Sequence, residues 1–240
     1  MNILSWLFGT KKTDDLAAVD NRDAKFADTN DRTATAVLDR RGAVELEADN
    51  LRRWKESEDT LAEAGKLASK PEDKEYVLYF QGALYERQKK YDLAEQSFRQ
   101  ILQTHPDSGP TLNYLGYMLA DHNMRLEEAL NMIKRAVELE PQNGAYLDSL
   151  GWAYFKLASY DQAEDYLRRA AEKTPNDATI QDHLGELYAK TGKLKLAAMH
   201  WERALDEWNK SIASDVDQQD VARVQKKLES TKVKIAQQQH

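Results

Sequence analysis

Residues 146–175 read YLDSLGWAYFKLASYDQAEDYLRRAAEKTP, and the placing of Leu147, Leu150, Gly151, Tyr154, Ala163, Leu167 and Pro175 within them sets the frame for the chain. The same small residue recurs as Gly82, Gly116, Gly151 and Gly185, at separations of 34, 35 and 34. Ala94, Ala129, Ala163 and Ala197 keep step, 35, 34 and 34 apart, and a closing proline falls at Pro106, Pro141 and Pro175. Three markers on one period describe a chain built from repeated units.

The residue types explain the unit. Two short antiparallel helices approach closely only where a side chain is nearly absent, so the glycine of the first helix (helix A) is expected to face the alanine of the second (helix B). Bulky residues then fill the remaining space. Tyr85, Leu119, Tyr154 and Tyr188 stand three residues after each glycine, and Phe98, Ile133, Leu167 and Trp201 four after each alanine. At those spacings they share the face that glycine and alanine define. Proline lacks an N–H and biases its predecessor out of the helical region, so each one stops helix B. The expectation is an all-α solenoid of antiparallel helix pairs, with four repeats at 75–108, 109–143, 144–177 and 178–210. The second repeat carries one extra residue in its inter-helix turn, around His122 to Arg125.

The ends depart from the period. Residues 1–9 hold Ile3, Leu4, Trp6, Leu7 and Phe8, too short an apolar run for a membrane span or signal peptide. They read as a terminus that tucks against the domain or stays mobile, with a weak membrane-interface anchor as the alternative. Polar residues make 1–35 a flexible lead-in. Within 36–74, Trp54, Ser57, Leu61, Ala64 and Leu67 superimpose on helix B of the first full repeat, which suggests a degenerate N-terminal unit whose helix A lacks its glycine. After a polar break, Val221, Val224, Leu228, Thr231 and Ile235 are spaced 3, 4, 3 and 4 within 215–240. Such a seam reads as a capping helix over repeat four, with a coiled-coil dimer as the alternative. The expected state is a monomer or a weak dimer.

Composition narrows the function. The 240 residues are 31% charged and 41% hydrophobic with a net charge of -7, which argues against a nonspecific nucleic-acid binder. Cysteine is absent, so thiolate metal sites and disulfides are excluded. His105, His122, His183, His200 and His240 share no metal-ligand spacing. His183 and Glu186 lie on one helix face and read as a surface pair. With no phosphate-binding loop and no nucleophile elbow in the sequence, no catalytic residue, metal or cofactor is expected.

Residues 75 to about 210 resemble the tetratricopeptide repeat family, and AYLDSLGWAY at 145–154 with LGELY at 184–188 is similar to repeats at the C-terminal ends of larger bacterial tetratricopeptide proteins. The resemblance implies a right-handed superhelix and a non-enzymatic scaffold. Its concave surface, lined by helix A, would hold a peptide from a protein partner. On that expectation the groove positions are Tyr79 and Ala83, Asn113 and Tyr117, Asp148 and Trp152, and Asp182 and Glu186, one turn apart on each helix A. The family's carboxylate clamp places Lys, Arg and Asn there, and only Asn113 matches. The acids point instead to a partner with Lys or Arg opposite Asp148, Asp182 and Glu186, and an apolar or planar group near Tyr79, Tyr117, Trp152 and Phe155. A structural role through self-association is the alternative. The cytoplasm is the expected compartment, with the envelope as the other.

Overall fold

The computed structural model describes the backbone of residues 40–211 and 217–238, with side chains from Trp54 onward. The readings made above for residues 1–35 lie outside these. Among the described residues there are ten helices and no strand. They are α1 (Arg40–Leu67), α2 (Pro71–Arg87), α3 (Tyr91–Thr104), α4 (Gly109–Asp121), α5 (Leu126–Leu139), α6 (Gly144–Lys156), α7 (Tyr160–Lys173), α8 (Ala178–Lys190), α9 (Leu194–Lys210) and α10 (Gln218–Gln237). The described residues up to Thr111 form one compact unit, and those from Leu112 onward another.

In the first unit α1 is a single helix of 28 residues where the repeat register suggested only a helix B. It packs on α2, which pairs with α3. Pro71 stands in the first turn of α2, where its missing N–H costs nothing, and Glu72 and Asp73 follow at the positive end of the helix dipole. A Cβ on Gly82 would come within 2.7 Å of the Phe98 ring.

The second unit repeats that contact. A Cβ on Gly116 would stand 2.6 Å from Ile133, one on Gly151 2.7 Å from Leu167, and one on Gly185 2.5 Å from Cδ1 of Trp201. The glycine therefore clears room for the bulky residue of helix B, rather than meeting the alanine as expected. At Gly116 the Ala129 carbonyl oxygen does approach to 3.0 Å. The alanines are fully buried one turn away, where they let the backbones close up. Leu147, Leu167, Ile180, Leu184, Trp201, Val224 and Leu228 belong to one continuous core running from α6 through α10.

Each turn is built the same way. Lys89, Asn123, Ala158 and Gly192 take a left-handed conformation just after helix A, at intervals of 34, 35 and 34. The next residue donates its N–H back to the bulky position of helix A: Lys90 to Tyr85, Met124 to Leu119, Ser159 to Tyr154 and Lys193 to Tyr188, at 2.7–2.9 Å. This is the six-to-one bond of a Schellman cap. The extra residue of the second repeat sits here as Arg125, itself left-handed at φ 43°. At the other end of each pair His105, Glu140 and Thr174 precede the prolines, with φ near -130° and ψ between 73° and 78°. Crowding by the proline ring keeps these residues out of the helical region and ends the helix. Two residues beyond the proline, Asn143 and Asp177 accept backbone N–H bonds from the new helix and cap it.

The heptad-like seam of α10 is used within the chain. Val224, Leu228 and Thr231 are buried and Ile235 packs on the core, while Val233 on the opposite face is exposed.

Candidate functional site

In the first unit Tyr79 is a core residue. Only 3% exposed, it meets Phe98 edge-on with ring centres 5.6 Å apart and Phe80 likewise at 5.8 Å.

In the second unit the helix-A positions form rungs between successive first helices. On α4, Asn113 is 1% exposed and neither its amide oxygen nor its nitrogen has a hydrogen-bond partner among the described residues. Tyr117, half-buried, tilts against the His183 ring at 6.1 Å. On α6, Asp148 lies 2.9 Å from His183 Nδ1, and both side chains are buried. Trp152 stacks on His183 at 4.1 Å and on Phe155 at 4.8 Å, with interplanar angles of 14° and 12°. Its indole N–H donates to Asp121 at 2.9 Å, while Lys156 reaches the Asp121 carboxylate at 3.2 Å and its carbonyl at 2.6 Å. Burial raises the Asp121 pKa, but the Lys156 charge and the Trp152 N–H outweigh it and hold the carboxyl below its ordinary range.

On α8, Asp182 is 3% exposed and accepts from Trp201 Nε1 at 2.9 Å on one oxygen and from Arg223 at 2.9 Å on the other. Glu186 pairs with Lys227 and lies 3.7 Å from Arg223. Burial works against the Arg223 charge, yet Asp182 and Asp220 more than compensate and raise its pKa.

Tyr117, Asp148 and Trp152 thus come together around one residue that the sequence reading set aside, His183, and Phe155 stacks on Trp152. Asp182 and Glu186, expected to face a partner's cations, are met by the chain's own Arg223 and Lys227. Asp121, Arg223 and Lys227 went unrecognised as members of this face. A signal for the last two existed: Arg223 and Lys227 repeat the four-residue step of Asp182 and Glu186, 41 residues on. Among the described residues no group of three His, Asp or Glu side chains is placed to hold a metal, and no helix is long and apolar enough to cross a membrane.

With this geometry the comparisons agree. Residues 76–108 and 123–191 each match the tetratricopeptide repeat family. Those two stretches are repeats of the tetratricopeptide type, and repeats of this type typically build non-catalytic scaffolds for contacts between proteins. A TPR repeat-containing protein of Pseudomonas aeruginosa is 36% identical over 100 residues, which cover 42% of this chain and 17% of that protein. The match therefore spans less than a fifth of the relative's length. Among solved structures, a thermophilic TPR protein of Thermus thermophilus superimposes with a TM-score of 0.61 at 18% identity, over 80% of this chain and 96% of the other. PilW, a type IV pilus biogenesis factor, gives 0.58 at 20% identity over 78% and 90%. Yeast Tom70 gives 0.57 at 17% identity over 78% of this chain and 38% of its own. Likeness at these identities concerns the fold.

Proposed function

We propose that this chain is a non-catalytic adaptor that receives, on the helix-A face of its second unit, a segment of another protein carrying apolar or planar groups together with Lys or Arg. The observation that supports this reading is the half-buried pair Tyr117 and Phe155, flanking the Trp152–His183 stack with carboxylates close by. Rings already fixed by stacking lose little rotamer freedom on docking, and aromatic anchors supply much of the energy at protein interfaces. A basic partner would replace the chain's own cations at Asp182 and Glu186.

Asp148 and Asp182 are poor places to test this, because reversing a buried, hydrogen-bonded carboxylate would disrupt the fold. Tyr117 and Phe155 are better. Binding of a basic-aromatic peptide library to the full chain is measured beside a Tyr117→Ala, Phe155→Ala double variant, with helicity followed by circular dichroism. The expected result is a loss of at least tenfold at unchanged helicity. Equal binding by the two proteins rejects the face.

A further inference from the structure

Asp182 is a buried carboxylate whose second oxygen is neutralised by Arg223, and Glu186 one turn later is neutralised by Lys227. Both cations come from α10, four residues apart on a helix whose only buried residues are Val224, Leu228 and Thr231, of twenty in all. The helix that carries the two acids is different: α8 buries nine of its thirteen. An element with so few buried contacts opens locally long before the core does. Moreover, Arg223 and Lys227 keep 44% and 29% of their side-chain surface exposed, so salt and competing ligands reach the pairs. Asp182 has no such freedom. If α10 left, the Trp201 N–H would remain as its neutral donor, and a buried carboxylate deprived of its cation is strongly disfavoured. Whatever takes the place of α10 must bring a cation to the same oxygen.

We propose that α10 is a displaceable stand-in for the partner, and that the α8 end of the face binds a basic amphipathic helix with Arg and Lys one turn apart and an aliphatic residue beside them. This rests on the adaptor reading and names its partner class. Two specificities follow from the geometry. The first cation must be able to reach a carboxylate at the bottom of the face, which suits the long planar guanidinium. The second meets the more open Glu186 and tolerates Lys.

The test uses the full chain and, as probe, a fluorescent synthetic peptide of residues 218–237. Wild type is compared with Arg223→Glu, Lys227→Glu, and amide exchange of the 218–237 segment is followed in both. The expected result is faster exchange of α10 in the variant, with peptide binding at least tenfold tighter than to wild type. The exchange protection should return when Lys227→Glu is combined with Glu186→Lys, which rebuilds one pair in reverse. Unchanged α10 exchange in the double variant overturns the proposal, since the ion pairs then do not hold the helix. A released α10 with no gain in peptide binding overturns it equally. Neither outcome bears on Tyr117 and Phe155, so failure here is separable from failure of the adaptor reading.

Discussion

Gly185 and Trp201 meet at a separation that no side chain would tolerate: a Cβ on Gly185 would overlap Trp201 Nε1, the nitrogen that donates to Asp182 at 2.9 Å. One missing methyl group therefore controls both the packing of α8 on α9 and the hydrogen bond of a buried carboxylate.

Gly185→Ala is expected to destabilise the protein by about 1–3 kcal/mol through overpacking, with a further loss if the indole rotates away from Asp182. Gly65→Ala is the control. There the new Cβ meets Val77 at an ordinary 3.6 Å. Helix propensity then favours alanine by about 0.5–1 kcal/mol. Urea denaturation of the two variants should give opposite signs, and a similar loss in both would remove the steric explanation.

The turn residues make a second pair of opposite expectations. Ala158 adopts φ 57° where the fourth repeat has Gly192 at φ 76°. A left-handed conformation costs a residue with a Cβ about 1–2 kcal/mol. Part of that gain is returned through the freer unfolded chain, so Ala158→Gly should stabilise by about 0.5–1 kcal/mol and Gly192→Ala should destabilise by a like amount. Thermal melts of the single variants check both.

His183→Leu keeps apolar bulk beneath Trp152 but removes the ring nitrogen that lies 2.9 Å from Asp148. Loss of a buried hydrogen bond of this kind costs about 1–3 kcal/mol. Asp148→Asn retains an oxygen at the same place and is expected to cost less. If the melting temperatures fell in the reverse order, the bond would not be what holds α6 to α8.

Acid should weaken the second unit. Glu164 has its pKa lowered by the hydrogen bond from Lys193, in spite of partial burial and with help from the Tyr188 hydroxyl, and Asp121 is lowered as well. A carboxylate with a depressed folded value adds stability above its unfolded value, and that stability is lost as pH falls through the folded one. His200 acts in the same direction. Burial and the Arg203 charge lower its pKa, so the fold favours the neutral ring and stability is lost as pH falls below the unfolded value of about 6.5. Denaturation midpoints should therefore decline from neutral pH toward pH 3, in a first step that His200→Gln removes and a second that Glu164→Gln and Asp121→Asn reduce.

The repeat frame was legible because its causes are local. Gly82, Gly116, Gly151 and Gly185 recur with their bulky partners, and each proline ends a helix through the residue before it, all within a window of one hairpin. The capping residues Asn143 and Asp177 carry an equally local signal, two residues beyond each proline. The extra residue of the second repeat sits in the turn where the spacing placed it. Less visible was the nature of the first helix, because the glycine marker is missing from the register before Trp54, and without it the register alone does not separate one long helix from two.

For the helix-A face the positions could be named but not what their side chains touch. Sequence placed Tyr117, Asp148, Trp152, Phe155, Asp182 and Glu186 on one side of their helices, since a 3.6-residue period allows no other arrangement. Tertiary structure decided which charge meets which. Asp148 finds His183 one repeat on, and Asp182 finds Arg223 only because α10 packs against α9 as a further first helix would. Helical periodicity orients a side chain about its own axis. What that side chain touches depends on where a segment some forty residues away comes to rest, and that is a property of packing.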